Sequence, residues 1–257
     1  MATNKIGIDV SKWNGNIDWK KVKDSGIDFA MIRAGYGQNM IDSCFEKNIS
    51  ECNKVGLPCG AYWFSYAYNT TMAKKEASYI LEAVKPYKLE YPIAYDFEYD
   101  SVNYAKRNGI NITKKLATAL LEAFCGEIEK AKYYCLNYSN IDFLNNYFDA
   151  SVQKKYGLWL AQWNNNAEPS RTCQIWQYSE KGIVNGINGT VDMNRCYVDF
   201  PAVIKANKLN GYKEEWFDEA RAWAIDKMLT DGENPNEPIS KAEVWDMLYK
   251  YYRKFGG

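Results

Sequence analysis

Cys59-Gly-Ala-Tyr-Trp-Phe-Ser-Tyr66 and Pro92-Ile-Ala-Tyr-Asp-Phe-Glu98 are two short runs rich in apolar and aromatic residues. Between them lies a stretch, 72–85, in which Ala73, Ala77, Ile80, Leu81 and Val84 recur at helical spacing. A strand, an amphipathic helix and a second strand in this order make a right-handed unit with parallel strands. Working outward, the same alternation extends both ways. Candidate strands lie at 5–10, 29–34, 132–138, 157–163, 173–178 and 190–194, and helical patterns at 18–25, 42–55 and 113–130. In the longest helix Thr113 is placed to cap, and Leu116, Leu120, Ala123, Phe124 and Ile128 share one face. Eight strands in about 200 residues give an α/β fold, an irregular (β/α)8-type barrel. The intervals after about residue 160 are short and rich in Asn and Gly, so the irregularity is expected in the second half.

The barrel is expected over residues 1–203 and a polar linker over 204–212. A small two-helix C-terminal module then follows at 213–257, with helical patterns at 213–229 and 240–254. Ser240 and Glu243 form an S-x-x-E capping box at the start of the second helix. A tail of this size is near the lower limit for burying its own core. Trp216, Phe217, Met228, Trp245, Leu248 and Tyr252 give it more apolar surface than a hairpin can hide. That surface is expected to cover the barrel flank, a wall polymer or a second copy.

Composition narrows the chemistry. The 257 residues carry 32 Lys+Arg and 32 Asp+Glu, so no net field favours nucleic acid or an anionic membrane. There is no histidine, which excludes Ser-His-Asp triads, Cys-His pairs and His-ligated zinc. Acid–base work must fall to carboxyls, Tyr, Lys or Cys. The seven cysteines include no C-x-x-C and are expected to be reduced and mostly buried. No metal and no cofactor are expected. Residues 1–10 contain no apolar signal-peptide core, so synthesis in the cytoplasm without an export signal is the expectation.

The sharpest chemical feature is Asp96-Phe97-Glu98 at the end of a strand. Alternation puts both carboxyls on one face, about 6.6 Å apart along the backbone. Active sites of parallel barrels are built at this end of the strands. Two neighbouring carboxyls repel, and the less solvated one keeps its proton to higher pH, which lets a Glu act as an acid. Asp9 and Asp192 end the first and last candidate strands, which a closed barrel makes neighbours. All four carboxyls then share one rim. Tyr36, Tyr62, Tyr66, Tyr138, Gln162 and Trp163 fall at corresponding strand ends, where rings and polar groups can line a sugar site. Trp63, Trp159 and Trp176 read as packing residues.

Seven motifs in order bring in a family. Gly7-Ile-Asp-Val-Ser-Lys-Trp-Asn-Gly-Asn-Ile-Asp-Trp19, Phe29-Ala-Met-Ile-Arg-Ala-Gly-Tyr-Gly37 and Gly60-Ala-Tyr-Trp-Phe-Ser-Tyr-Ala67 are followed by Pro92-Ile-Ala-Tyr-Asp-Phe-Glu98. Leu158-Trp-Leu-Ala-Gln-Trp163, Ile175-Trp-Gln-Tyr-Ser179 and Val191-Asp-Met-Asn194 come later. Together, over about residues 5–200, they resemble the family 25 glycoside hydrolases, the Chalaropsis-type lysozymes. The resemblance implies an endo-acting muramidase that cleaves the β-1,4 bond between N-acetylmuramic acid and N-acetylglucosamine in peptidoglycan. It implies Glu98 as general acid, Asp96 assisting the substrate's acetamido group, and Asp9 and Asp192 lining the cleft. The lack of a signal peptide and the added tail look like a bacteriophage endolysin. The tail, from Trp216 to Tyr249, resembles a single S-layer-homology-type repeat, a kind of module that binds wall glycopolymer or self-associates in sets. The competing reading from another class is a barrel that binds wall glycan without cutting it.

Overall fold

The computed structural model describes residues 2–163, 168–212, 218–227, 229 and 240–255. The chain divides into two compact units, Met1–Tyr212 and Lys213–Gly257.

In the first unit the strands are β1 (Ala2–Val10), β2 (Phe29–Tyr36), β3 (Met40–Ile41), β4 (Cys59–Phe64), β5 (Ile93–Asp96), β6 (Cys135–Asn140), β7 (Gly157–Ala161), β8 (Ile175–Gly182) and β9 (Val191–Val198). Its helices are α1 (Trp19–Asp24), α2 (Phe45–Lys54), α3 (Thr70–Val84), α4 (Tyr99–Arg107), α5 (Lys114–Lys130), α6 (Ile141–Asn146), α7 (Ala150–Lys155) and α8 (Phe200–Ala206). The order β1-β2-β4-β5-β6-β7-β8-β9 closes on β1 as an eight-strand barrel, and β3 is a short hairpin partner of β2. All eight expected strands are present. Thr113 caps α5 through the Leu116 amide, as read from the sequence.

One strand runs the other way. β9 is antiparallel to both β8 and β1. The segment between Gly182 and Val191 is too short for a crossover, which needs a dozen or more residues, so the chain can only turn back. Asp192 therefore stands at the start of a reversed strand and not at the end of a parallel one. The reversal still delivers it to the expected rim, opposite Asp9.

Alternation along the strands divides the apolar residues into two layers. Ile8, Val10, Ile32, Trp63, Ile93 and Tyr95 face outward under α2, α3 and α5. Phe29, Met31, Ala94, Leu136, Trp159, Ile175 and Cys196 fill the lumen. Its lower end is stoppered by Phe200 and Ile204 of α8, with Tyr91 stacked on Phe29 at 4.4 Å. Gly7 leaves the room that the Phe29 ring occupies, since a Cβ there would meet that ring at 2.3 Å. The lumen is thus packed below and polar only at the top.

Residues 204–212, expected as a polar linker, fall within the first compact unit. Ile204 is buried, and the buried Asn210 side chain accepts from Tyr134 N and donates to the Leu89 and Tyr91 carbonyls. The polar composition that suggested a connector is one Asn satisfying backbone groups at the barrel floor.

The second unit contains α9 (Asp218–Asp226) and α10 (Lys241–Phe255). The capping box forms: Glu243 N donates to Ser240 Oγ and Ser240 N to Glu243 Oε2. Trp223 meets Tyr251 at 5.5 Å, and Tyr251 meets Phe255 at 5.3 Å. No residue of α10 is buried, and Trp245, Leu248 and Tyr252 are exposed. Trp216, Phe217 and Met228 lie outside the described residues. Among those described, no helix is long and apolar enough to cross a membrane.

Candidate active site

Asp9, Asp96, Glu98 and Asp192 gather at the upper rim. Asp9 ends β1 and is directly paired with Asp192 of β9. Asp96 ends β5, in register with Tyr138 of β6. Glu98, two residues on, is still extended and serves as the N-cap of α4, with its amide donating to Ser101 Oγ. Extended backbone through both positions keeps the two carboxyls on one side, as the D-x-E spacing predicts.

Burial governs their charge. Asp9 and Asp96 are buried, while Glu98 and Asp192 are partly open. Asp9 Oδ2 accepts from Gln177 Nε2 at 2.9 Å and from Asn194 Nδ2 at 2.8 Å. These two donors offset much of its desolvation, yet its pKa is still pushed up to about 6. Asp192 is pushed up to about 8 by burial and by the Asp9 charge beside it. Glu98 is raised by burial despite its place at a helix N-terminus, which favours the charged form. Asp96 is raised well above its ordinary value, by burial and then by Glu98. Its Oδ1 has no partner in the protein, as expected of two carboxyls that can bridge only when one is protonated. Both members are thus disposed to hold a proton, Glu98 included. Asp96 is the less solvated member of the pair. Glu98 is the more open of the two and can reach a ligand.

An amide relay supports the floor. Gln177 Oε1 accepts from Tyr138 OH at 3.0 Å and from Trp163 Nε1 at 3.1 Å, while its amide holds Asp9. Asn194 Oδ1 accepts from Trp159 Nε1 at 2.8 Å, while its amide also holds Asp9. Tyr62 and Tyr138 pack edge-on against the Trp159 ring at 5.8 and 4.8 Å. Trp159 is buried, as its packing assignment requires, but it also orients both tyrosines. Trp163 is half exposed at the rim and joined to the site through Gln177.

The other expected contacts divide. Tyr36 and Tyr66 meet edge-on at 6.5 Å, with Lys12 and Arg33 beside the Tyr36 ring, and form a second aromatic wall. Tyr66 OH is tied to Asp100 at 2.6 Å. Gln162 is different. Its Oε1 accepts from Ser170 N, so its side chain is spent on backbone at Ser170.

Sequence reading missed Gln177, Asn194 and Arg33. The first two sat inside quoted motifs, but an amide carries no chemical signature until its neighbours are known. Arg33, ion-paired to Asp42 at 2.7 Å, is a cation whose charge opposes the raised pKa of Asp96. Glu76 was also missed. Buried on α3, it accepts from Ser65 Oγ, Tyr66 N and Gln38 Nε2, and burial pushes it up to about 7. It fixes the loop that carries Tyr66. Among the described residues no group of three or more acidic, Cys or His side chains is disposed to hold a metal ion.

A rim of four neighbouring carboxyls with aromatic walls, on a barrel closed by one reversed strand, suits acid-catalysed cleavage of a glycosidic bond. The model of glycosyl hydrolases family 25 matches residues 8–187. The chain belongs to that family. It is a glycoside hydrolase by that membership. It is 30% identical over 199 residues to the uncharacterized protein YegX of Escherichia coli K12, covering 73% of this chain and 68% of YegX. It is 29% identical over 198 residues to lysozyme M1 of Streptomyces globisporus, covering 74% and 66%. The modular autolysin LytC of Streptococcus pneumoniae, solved with a synthetic peptidoglycan ligand, superposes with a TM-score of 0.67 at 32% identity. That match covers 76% of this chain and 47% of LytC, so the chain spans about half the length of that autolysin.

Proposed function

We propose that this family 25 hydrolase is an endo-acting muramidase that cleaves the β-1,4 bond from N-acetylmuramic acid to N-acetylglucosamine in peptidoglycan. The observation that carries the reading is the pairing of a buried Asp96 with a more open Glu98 on the rim, where burial raises both carboxyls. Glu98 donates a proton to the glycosidic oxygen as charge develops on the sugar carbon. Asp96 beneath it supports the substrate's acetamido group, and Asp9 and Asp192 hold the floor. Tyr62, Tyr138 and Trp163 flank one sugar, and Tyr36 and Tyr66 another. We assign the setting to a phage endolysin, made in the host cytoplasm and acting on the wall after release. The exposed aromatic helices of the tail are its wall-binding or self-association module.

The test is purified protein on isolated peptidoglycan. New reducing ends that vanish with Glu98→Gln, while the variant still pellets with the wall, support the assignment. General acid catalysis contributes about 10²–10⁴-fold, so a variant retaining over a tenth of the rate sinks the role of Glu98. Pelleting without new reducing ends identifies a glycan-binding barrel instead.

A further inference from the structure

At the opposite end of the barrel from the carboxyls, two thiols meet. Cys125 of α5 and Cys135, the first residue of β6, place their sulfurs 2.8 Å apart. That is well inside the usual non-bonded separation of about 3.5–4.0 Å and only about 0.8 Å beyond a disulfide bond. Cys125 is wholly enclosed, but Cys135 lines a concavity of about 340 Å³ that reaches the exposed Glu129 and Lys155 side chains. Cys135 thus borders open space that Cys125 does not. Burial and the neighbouring sulfur hold the Cys125 thiol well above its usual range, while the Lys155 charge acts the other way. Cys52 also has a thiol neighbour, Cys59, but the sulfurs of Cys52 and Cys59 both bond backbone carbonyls. Cys52 Sγ donates to Leu57 O and Cys196 Sγ to Val198 O.

We propose that Cys125 and Cys135 are a redox modification site, with Cys135 the sulfur attacked by a hydroperoxide and Cys125 the resolving thiol. The Cys135 thiolate takes the terminal oxygen of the peroxide. The O–O bond breaks, sulfenic acid forms, and the departing alkoxide or hydroxide takes up the proton shed by the Cys135 thiol to leave as alcohol or water. Cys125 sulfur then attacks the sulfenic sulfur, the S–O bond breaks, and the departing hydroxide takes up the Cys125 proton as water. Two thiols lose two electrons, the peroxide gains them, and α5 becomes covalently stapled to β6. The site is independent of the hydrolase reading.

The experiment exposes the full-length chain to hydrogen peroxide, then counts thiols by alkylation under denaturing conditions and maps bridged peptides by mass. Of the seven cysteines, two are expected to be lost together, in one bridge joining the peptides of Cys125 and Cys135 and reversed by a dithiol. Cys125→Ser, or Cys125→Ala if the serine variant misfolds, should instead leave a sulfenic acid at Cys135 that a dione reagent captures. Cys135→Ser should lose no thiol. Full retention of thiols in the native chain, a bridge between any other pair, or no capture at Cys135 in a folded Cys125 variant overturns the proposal.

Discussion

Asp9 and Asp192 face each other across β1 and the reversed β9, and the Asp9 charge helps burial to raise Asp192. That shift has a consequence for stability. Asp192, ordinarily near 3.8, is pushed up to about 8 in the fold. A carboxyl raised in this way binds its proton more tightly folded than unfolded. It therefore favours folding below about pH 4, and that contribution is lost as pH rises through about 8. Asp192→Asn should raise the Tm of the barrel at pH 8–9 by several degrees and leave it nearly unchanged at pH 4. Parallel Tm curves for the two proteins across that range would refute the pairing.

Gln177 is the joint of the amide relay. Gln177→Leu removes one of two donors to Asp9 and strands the Tyr138 and Trp163 donors. Hydrogen bonds to charged groups contribute about 1.5–3 kcal/mol, so kcat/KM on peptidoglycan should fall about 10–100-fold. The apparent pKa assigned to Asp9 should move upward. An unshifted pH profile would mean that the relay is only structural.

Trp163 is half exposed and free to meet a sugar ring while its indole N–H stays on Gln177. Trp163→Ala should raise KM a few-fold to tenfold and change kcat little, because aromatic contact contributes about 0.5–1.5 kcal/mol and does not transfer a proton. A collapse of kcat with KM unchanged would place Trp163 in the chemistry.

Two truncations separate the floor of the barrel from the tail. Ending the chain at residue 212 should leave a soluble barrel active on small muropeptides but weaker on whole walls. Ending it at 203 removes Ile204 and Asn210, unpairs Tyr134 N and the Leu89 and Tyr91 carbonyls, and should cost several kcal/mol of stability. Equal stability of the two fragments, measured by thermal unfolding, would contradict the docking of that segment.

The eight barrel strands were legible because period-2 aromatic runs such as 59–66 survive in the sequence without tertiary help. Helices α4, α6, α7 and α8 were not, since each is short, and α6, α7 and α8 have at most two buried residues each. The direction of β9 was implicit in the short interval before Val191, but the strand pattern alone is blind to direction. The four carboxyls could be placed on one rim from strand ends, whereas their relative burial could not. Asp96 lies below Glu98 because β5 stops at Asp96 and the chain then lifts into α4. Gln177 and Asn194 matter through partners far away in the chain, 168 and 185 residues from Asp9, and no local pattern shows that.

The stopper of Phe200, Ile204 and Tyr91 also limits how a polymer can be handled. A barrel filled from below has no tunnel, so nothing can be threaded through it and no free end has to be found. Under the proposed muramidase function, a glycan strand lies across the mouth with both ends projecting outward. An enzyme of this shape can begin cutting anywhere along a cross-linked net, where chain ends are scarce, and each cut is a separate landing. Its rate on an intact wall should then scale with accessible strand length and not with the number of termini.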